Sequence, residues 1–318
     1  MNSHVLIIAG MHRSGTSFTA DWLQTCGLNI GQRLLYGTPG EKAHYEDKDF
    51  VELHKAILAE HQVGHLLPHP VNLTVSAHFQ DHAQALAIEG RGHPNWGWKD
   101  PRTTLFLPFW RSVLPSARYL MVFRRYDEVV DSLHRRNEKV APLRVPLIYV
   151  RDEYNYDIWS EVRRVLVRNY AGLRRRTPRI GDMVSFRLVK PLRKLRSSYA
   201  NLSVTRLYAR NWAFYNQAML AFYRDHREDC LVVSIDQLLQ LSLEIVEYLN
   251  RQWGFTLTPR PATSGFDSAR MQRNQPTWKA RLCERLYPPV KAVYQDLLTV
   301  ESRSLARLGT GESDPSAM

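Results

Sequence analysis

Among residues able to do chemistry, the densest run is Gly10-Met11-His12-Arg13-Ser14-Gly15-Thr16-Ser17. Two glycines frame a polar turn, a hydroxyl pair follows, and one guanidinium sits inside. Backbone N–H groups of such a turn, opening onto a helix, form an anion cradle strengthened by the helix dipole. The common triphosphate loop, G-x-x-x-x-G-K-[ST], places a lysine before its hydroxyl to reach the β- and γ-phosphates. Here that position is Thr16, and the cation has moved inward to Arg13. Such a loop is poorly equipped for a triphosphate but suits a single phosphate beside a reactive group. A second cluster is His61, His65 and His69, spaced by four as on a zinc-binding helix. Gly64, Pro68 and Pro70 would break that helix, and no cysteine or glutamate completes a ligand set, so no metal site is expected.

The run His12 to Ser17 resembles the first phosphate-binding motif of sulfotransferases that use 3′-phosphoadenosine-5′-phosphosulfate (PAPS), roughly [PH]-[KR]-[SG]-G-T-[ST]. That family carries a second motif at a later strand end, an arginine and then a serine eight residues on. Arg124 and Ser132 stand at that spacing, after the apolar run Tyr119 to Phe123. Trp96-Gly97-Trp98-Lys99-Asp100-Pro101-Arg102 is similar to the G-W-K-D-P-R block of bacterial-type members. The likeness covers about Val5 to Arg136 and resumes around Leu207 to Trp253, where Val233 to Leu239 looks like the family's final strand and helix.

The resemblance implies an α/β, P-loop-NTPase-like three-layer fold with a central parallel sheet flanked by helices. It implies PAPS as the sulfuryl donor, adenosine 3′,5′-bisphosphate as the product, and no required metal. His12, Arg13, Ser14, Gly15, Thr16 and Ser17 would form the cofactor loop, and Arg124 and Ser132 would hold the 3′-phosphate. Arg13 would neutralise the oxygen bridging sulfur and the 5′-phosphate. Lys99 would contact the sulfonate or the leaving phosphate; its alternative is an ion pair with neighbouring Asp100. Tyr45-Glu46-Asp47 resembles the family's G-[YF]-[FW]-E stretch, which makes Glu46 the base for the acceptor hydroxyl and His44 the reserve. The alternative is that Glu46 or Asp47 caps the following helix. The late R-K-G-x-x-G motif of phenol and steroid sulfotransferases is absent, leaving Arg270 or Arg273 as candidates for a third phosphate contact. The implied acceptor is a carbohydrate or glycolipid hydroxyl.

The elements that must position these groups are legible in outline. Val5 to Ala9 is a continuous apolar run ended by Gly10, the pattern of a parallel strand buried on both faces. Thr16 onward reads as a helix ending near Gly27, Asp47 to Gln62 as a second and Val75 to Ile88 as a third. Trp96 to Lys99 is a short strand, its two tryptophans serving as core or pocket wall, and Arg118 to Phe123 is another buried strand. Asp127 to Arg136 follows as a helix with Asp127 and Glu128 at its positive end. Leu207 to Tyr223 reads as a helix, Leu231 to Ile235 as a strand and Gln237 to Trp253 as a helix. Strand–helix alternation of this kind makes an α/β domain with a parallel sheet.

The net charge of +12 would suggest a nucleic-acid binder until it is located. Residues 163–210 hold 14 basic and one acidic residue, leaving 29 basic and 30 acidic in the rest of the chain. The body is therefore neutral, and one segment attracts anions: a polyanionic acceptor or a membrane surface, nucleic acid being disfavoured because no binding motif accompanies the charge. A solvated insertion without a partner explains the same charge. The expected organisation is one domain over 1–308, interrupted by a basic insertion at about 139–205, with a frayed tail at 309–318. Three dispersed cysteines and an apolar run too short for a signal peptide or a membrane span suit a cytoplasmic protein, peripheral to the inner face of a membrane if the basic segment binds lipid. Two rival functions remain open. A small-molecule kinase with a degenerate loop would turn over ATP with Mg²⁺ but not PAPS; a non-catalytic adaptor would bind anionic liposomes without group transfer.

Overall fold

The computed structural model describes residues 3–35, 44–67, 72–90, 92–140, 185–262 and 277–309. Its centre is a four-stranded, all-parallel sheet in the order β2-β1-β3-β4, with β1 His4–Ala9, β2 Asn95–Lys99, β3 Arg118–Phe123 and β4 Cys230–Ser234. Side chains alternate across the strands, so each strand feeds two cores. Val5, Ile7, Ala9, Tyr119, Met121 and Phe123 enter one, and Leu6, Ile8, Leu120 and Val122 the other. Only a sheet covered on both faces can bury such continuous apolar runs.

The helices supply that cover. On the second face lie α1 (Thr16–Thr25), α7 (Ile235–Gln240) and α8 (Ser242–Trp253). On the first lie α2 (Lys48–Glu60), α3 (Ala77–Gly90), α4 (Leu107–Val113), α5 (Tyr126–Val140), α6 (Ser185–Asp225), α9 (Thr277–Leu286) and α10 (Pro289–Gly309). A 3₁₀ turn, Pro101–Phe106, joins β2 to α4. No helix among the described residues is long and apolar enough to cross a membrane.

Several expected boundaries move. Gln237 to Trp253 is two helices, because Leu241 leaves helical geometry while Ser242 Oγ accepts from the Ala262 N–H and ties the junction to a distant loop. The helix expected from Leu207 starts at Ser185, so residue 205 is not an element boundary. Residues 141–184 of the expected insertion, the tail 310–318, His69, Arg270 and Arg273 lie outside the described residues. The C-terminal pair α9 and α10 and the Pro101–Val113 segment carried no strong signal of their own; Pro at the first turns of the latter marks its helical starts.

Candidate active site

The chain leaves β1 for β2 on one side, then crosses to β3 on the other. That reversal opens a crevice at the strands' carboxyl ends, where Gly10, Asp100 and Arg124 follow β1, β2 and β3. Glycine is required at the start of the loop: a Cβ on Gly10 would lie 2.2 Å from the Val122 carbonyl oxygen. Gly15, at φ 98°, would meet Ile235 at 2.6 Å. Arg13, at φ 70°, occupies the left-handed region without being glycine, a conformation that costs about 1–2 kcal/mol.

The cradle is partly committed. The Gly10 N–H donates to Thr104 Oγ1 at 2.9 Å and the Ser14 N–H to the Met11 carbonyl at 3.1 Å. Helix α1 has Gly15 as its N-cap, with no side-chain cap and no acid in its first turn, so nothing there competes for the dipole's positive end. Beside it, Ser14 Oγ and His12 Nε2 are buried with no hydrogen-bond partner. Buried polar atoms in this condition call for a ligand or a water. The His12 ring packs on His65 at 4.4 Å and edge-on to Tyr215 at 6.2 Å. Burial, with His65 and Arg102 adding repulsion, holds the His12 imidazole well below its usual range.

This has a consequence for stability. The unfolded chain takes a proton on His12 below about pH 6.5 while the folded chain does not, so stability is full above that pH and falls below it. The loss is about 1.4 kcal/mol for each pH unit until the folded ring itself titrates. Melting temperatures at pH 7.5 and 5.5 should therefore differ more for the wild type than for His12→Gln. An equal difference in both would mean that His12 takes up its proton freely in the folded protein.

Three elements converge on Lys99, whose side chain is fully buried at the end of β2. Its Nζ donates to Ser17 Oγ at 3.1 Å, from the first turn of α1, and to Glu46 Oε1 at 2.6 Å. Burial pulls the Lys99 ammonium down and Glu46 pushes it back up. The ion pair that could have engaged Lys99 with Asp100 is not the one formed: Asp100 takes Arg102 and His54 instead. Glu46 is also not a helix cap. Asp47 caps α2, its Oδ1 accepting from the Asp49 N–H at 3.0 Å, while Oδ2 takes the Gln32 and Arg33 N–H groups. Glu46 is aimed by a short antiparallel pairing, Leu35 N–H to Glu46 carbonyl and His44 N–H to Leu35 carbonyl, and by Tyr45 at φ 54°. The Tyr45 hydroxyl is pushed up to about 12 by burial and by its hydrogen bond to Asp21 on α1. His44 contributes its backbone to this pairing.

The two halves of the expected cofactor site touch. Arg13 Nε donates to Ser132 Oγ at 2.9 Å, joining the loop after β1 to the helix after β3. Arg124, by contrast, pairs with Glu128 one helical turn away, at 2.5 Å, with its guanidinium largely buried. Sequence reasoning missed Asp100, Arg102, His54 and Trp110 as parts of this site. Arg102 and Asp100 lay in the quoted motif; His54 is one more apolar-face position of an amphipathic helix and carries no signal of its own.

Comparison with protein-family models, curated proteins and solved structures returns no match. The chemistry of the site therefore rests on its own residues.

Proposed function

We propose that this protein is a sulfotransferase that moves the sulfuryl group of PAPS onto a hydroxyl of a carbohydrate or glycolipid. The observation that carries the reading is the Lys99–Glu46 pair hydrogen-bonded to Ser17 of an anion loop: a cation and a base side by side at a phosphate cradle. The residues fit the donor: Ser14 Oγ and His12 Nε2 are buried polar atoms awaiting a partner. Thr16, where a triphosphate loop has its lysine, weighs against a kinase.

In this reading Glu46 takes the proton of the acceptor hydroxyl as that oxygen bonds to sulfur. The bond from sulfur to the 5′-phosphate oxygen breaks, and its electron pair stays on the leaving oxygen. Arg13 neutralises the charge gathering there, and Lys99 supports the sulfonate or the departing phosphate once bound ligand draws it from Ser17. Most of the catalytic effect is then positioning and electrostatics. Arg124 holds the 3′-phosphate, which must displace Glu128 from its guanidinium.

Adenosine 3′,5′-bisphosphate should raise the melting temperature well beyond ADP, since only the former offers Arg124 and Ser132 a 3′-phosphate. At about 100 times its dissociation constant the added stability is roughly 2.7 kcal/mol. Arg124→Ala should erase the difference between the two nucleotides. Equal shifts in the wild type would sink the assignment, and ATP turnover with Mg²⁺ but none with radiolabelled PAPS across sugars, lipids and phenols would replace it with a kinase.

A further inference from the structure

We propose that His54 is a positioning residue of this site, acting through Asp100 and Arg102 to keep Glu46 Oε2 available as the atom that accepts the acceptor's proton. The argument begins at the apolar end of the network. The Trp110 Nε1–H donates to His54 Nε2 at 2.8 Å. An indole N–H can only donate, so Nε2 carries a lone pair and the ring proton sits on Nδ1. His54 Nδ1–H then donates to Asp100 Oδ2 at 2.7 Å. The ring plane is set by Phe106, stacked at 5.2 Å, and Trp110, edge-on at 5.7 Å, and the two hydrogen bonds set which edge faces Asp100.

Asp100 is thereby held at both oxygens. Its Oδ1 accepts from the Arg102 backbone N–H at 3.0 Å and from the Arg102 guanidinium at 2.9 Å. Burial alone would raise the Asp100 carboxyl, but Arg102 and His54 keep it well below the usual range. The same guanidinium nitrogen stands 3.9 Å from Glu46 Oε2, while Glu46 Oε1 is taken by Lys99. The side chains of His54, Asp100 and Lys99 are fully buried and Arg102 is 5% exposed, whereas Glu46 is 14% exposed. The network therefore meets the crevice at Glu46, and at Oε2.

Arg102 is shared by two carboxylates, 2.9 Å from Asp100 Oδ1 and 3.9 Å from Glu46 Oε2. Held by Asp100, it stays at arm's length from Oε2. Without the His54 Nδ1–H, Asp100 Oδ2 becomes a buried acceptor with no donor, and the carboxylate is free to turn. Arg102 can then close on Glu46 and occupy Oε2, the oxygen that Lys99 leaves open. The step served is the one already described: the hydroxyl proton passes to Glu46 Oε2 as the new S–O bond forms and the old one breaks. The role in catalysis rests on the sulfotransferase reading; the tautomer does not.

Two substitutions separate positioning from packing. His54→Asn keeps an N–H near the position of Nδ1, and His54→Gln keeps an acceptor near Nε2. His54→Gln should lower kcat about 10–100-fold, the range for losing a group that orients a functional side chain, with KM for PAPS unchanged. His54→Asn should retain most of kcat at a similar melting temperature. Equal losses in both variants, following their stability, would make His54 structural only and overturn the proposal. Nitrogen-15 NMR of the histidine-labelled full chain should show His54 protonated at Nδ1 and bare at Nε2; the opposite tautomer overturns the chain of bonds whatever the enzyme does. The expected tautomer in a protein that transfers nothing from PAPS would instead remove the role given to Glu46 and leave the hydrogen-bond chain standing.

Discussion

Glu46→Gln is expected to lose about 10²–10⁴-fold in turnover, the magnitude of a positioned general base, with PAPS affinity little changed. Glutamine keeps an oxygen for Lys99 to donate to but cannot accept the hydroxyl proton. The structure adds a second consequence that the base assignment alone does not contain. Lys99 is fully buried and Glu46 is its counter-charge at 2.6 Å, so the variant leaves an ammonium without a neutralising partner. Removing one member of a buried pair typically costs about 3–5 kcal/mol, and less here because the amide oxygen remains. Turnover and stability therefore fall together in the single variant. Glu46→Gln with Lys99→Met should recover stability, which would trace the loss to the unpaired ammonium; turnover is read in the single variant well below its melting temperature, because Lys99 also has a place in the reaction. Near-normal kcat in Glu46→Gln would hand the proton to His44 or to water.

Arg13→Ala is expected to cut kcat by roughly 10²–10³, about 3–4 kcal/mol, with a much smaller change in PAPS dissociation. A cation that meets charge developing on a leaving oxygen helps the transition state more than the bound donor. Ser132 Oγ receives the Arg13 Nε–H, so one edge of the guanidinium is fixed before any ligand arrives. Arg13→Lys should recover part of the rate, but an ammonium cannot hold Ser132 and a leaving oxygen in one planar fork. The backbone supplies a control. At φ 70° glycine is the unstrained residue, so Arg13→Gly should lose as much kcat as Arg13→Ala while melting no lower than it. Strong loss of PAPS binding with kcat intact would make Arg13 an anchor rather than a catalyst.

How far these residues could be read in advance depends on the range of the interaction involved. The strand Arg118–Phe123 and the strand core of Val5 to Ala9 were legible because burial on both faces leaves an unbroken apolar run. The turn from β1 into α1 was legible because two glycines five residues apart frame a polar run between an apolar strand and a helix. The split at Leu241 was not: the residues that end α7 and begin α8 are tied to Ala262, twenty residues past Ser242, and no local pattern announces that bond. The resemblance of Tyr45-Glu46-Asp47 to a family stretch singles out Glu46 as the base, but a carboxylate just before a helix is also the residue type that caps it. Only the hydrogen bond from the Asp49 N–H to Asp47 Oδ1 and the one from Lys99 to Glu46 show that Asp47 is the cap and Glu46 is not.

By itself the sequence determined an α/β chain with a parallel sheet, a glycine-framed loop with Thr16 at the usual lysine position and Arg13 inside it, and the neutrality of everything outside one basic segment. These are properties of composition and of neighbours within a few residues. The tertiary structure alone decided which carboxylate meets which cation. Asp100 adjoins Lys99 in sequence, yet successive side chains of a strand point to opposite faces, so Lys99 reaches Glu46 from another loop and Asp100 turns to Arg102 and His54. Pairing across 53 and 46 residues is set by where the strands end, and that follows from sheet order.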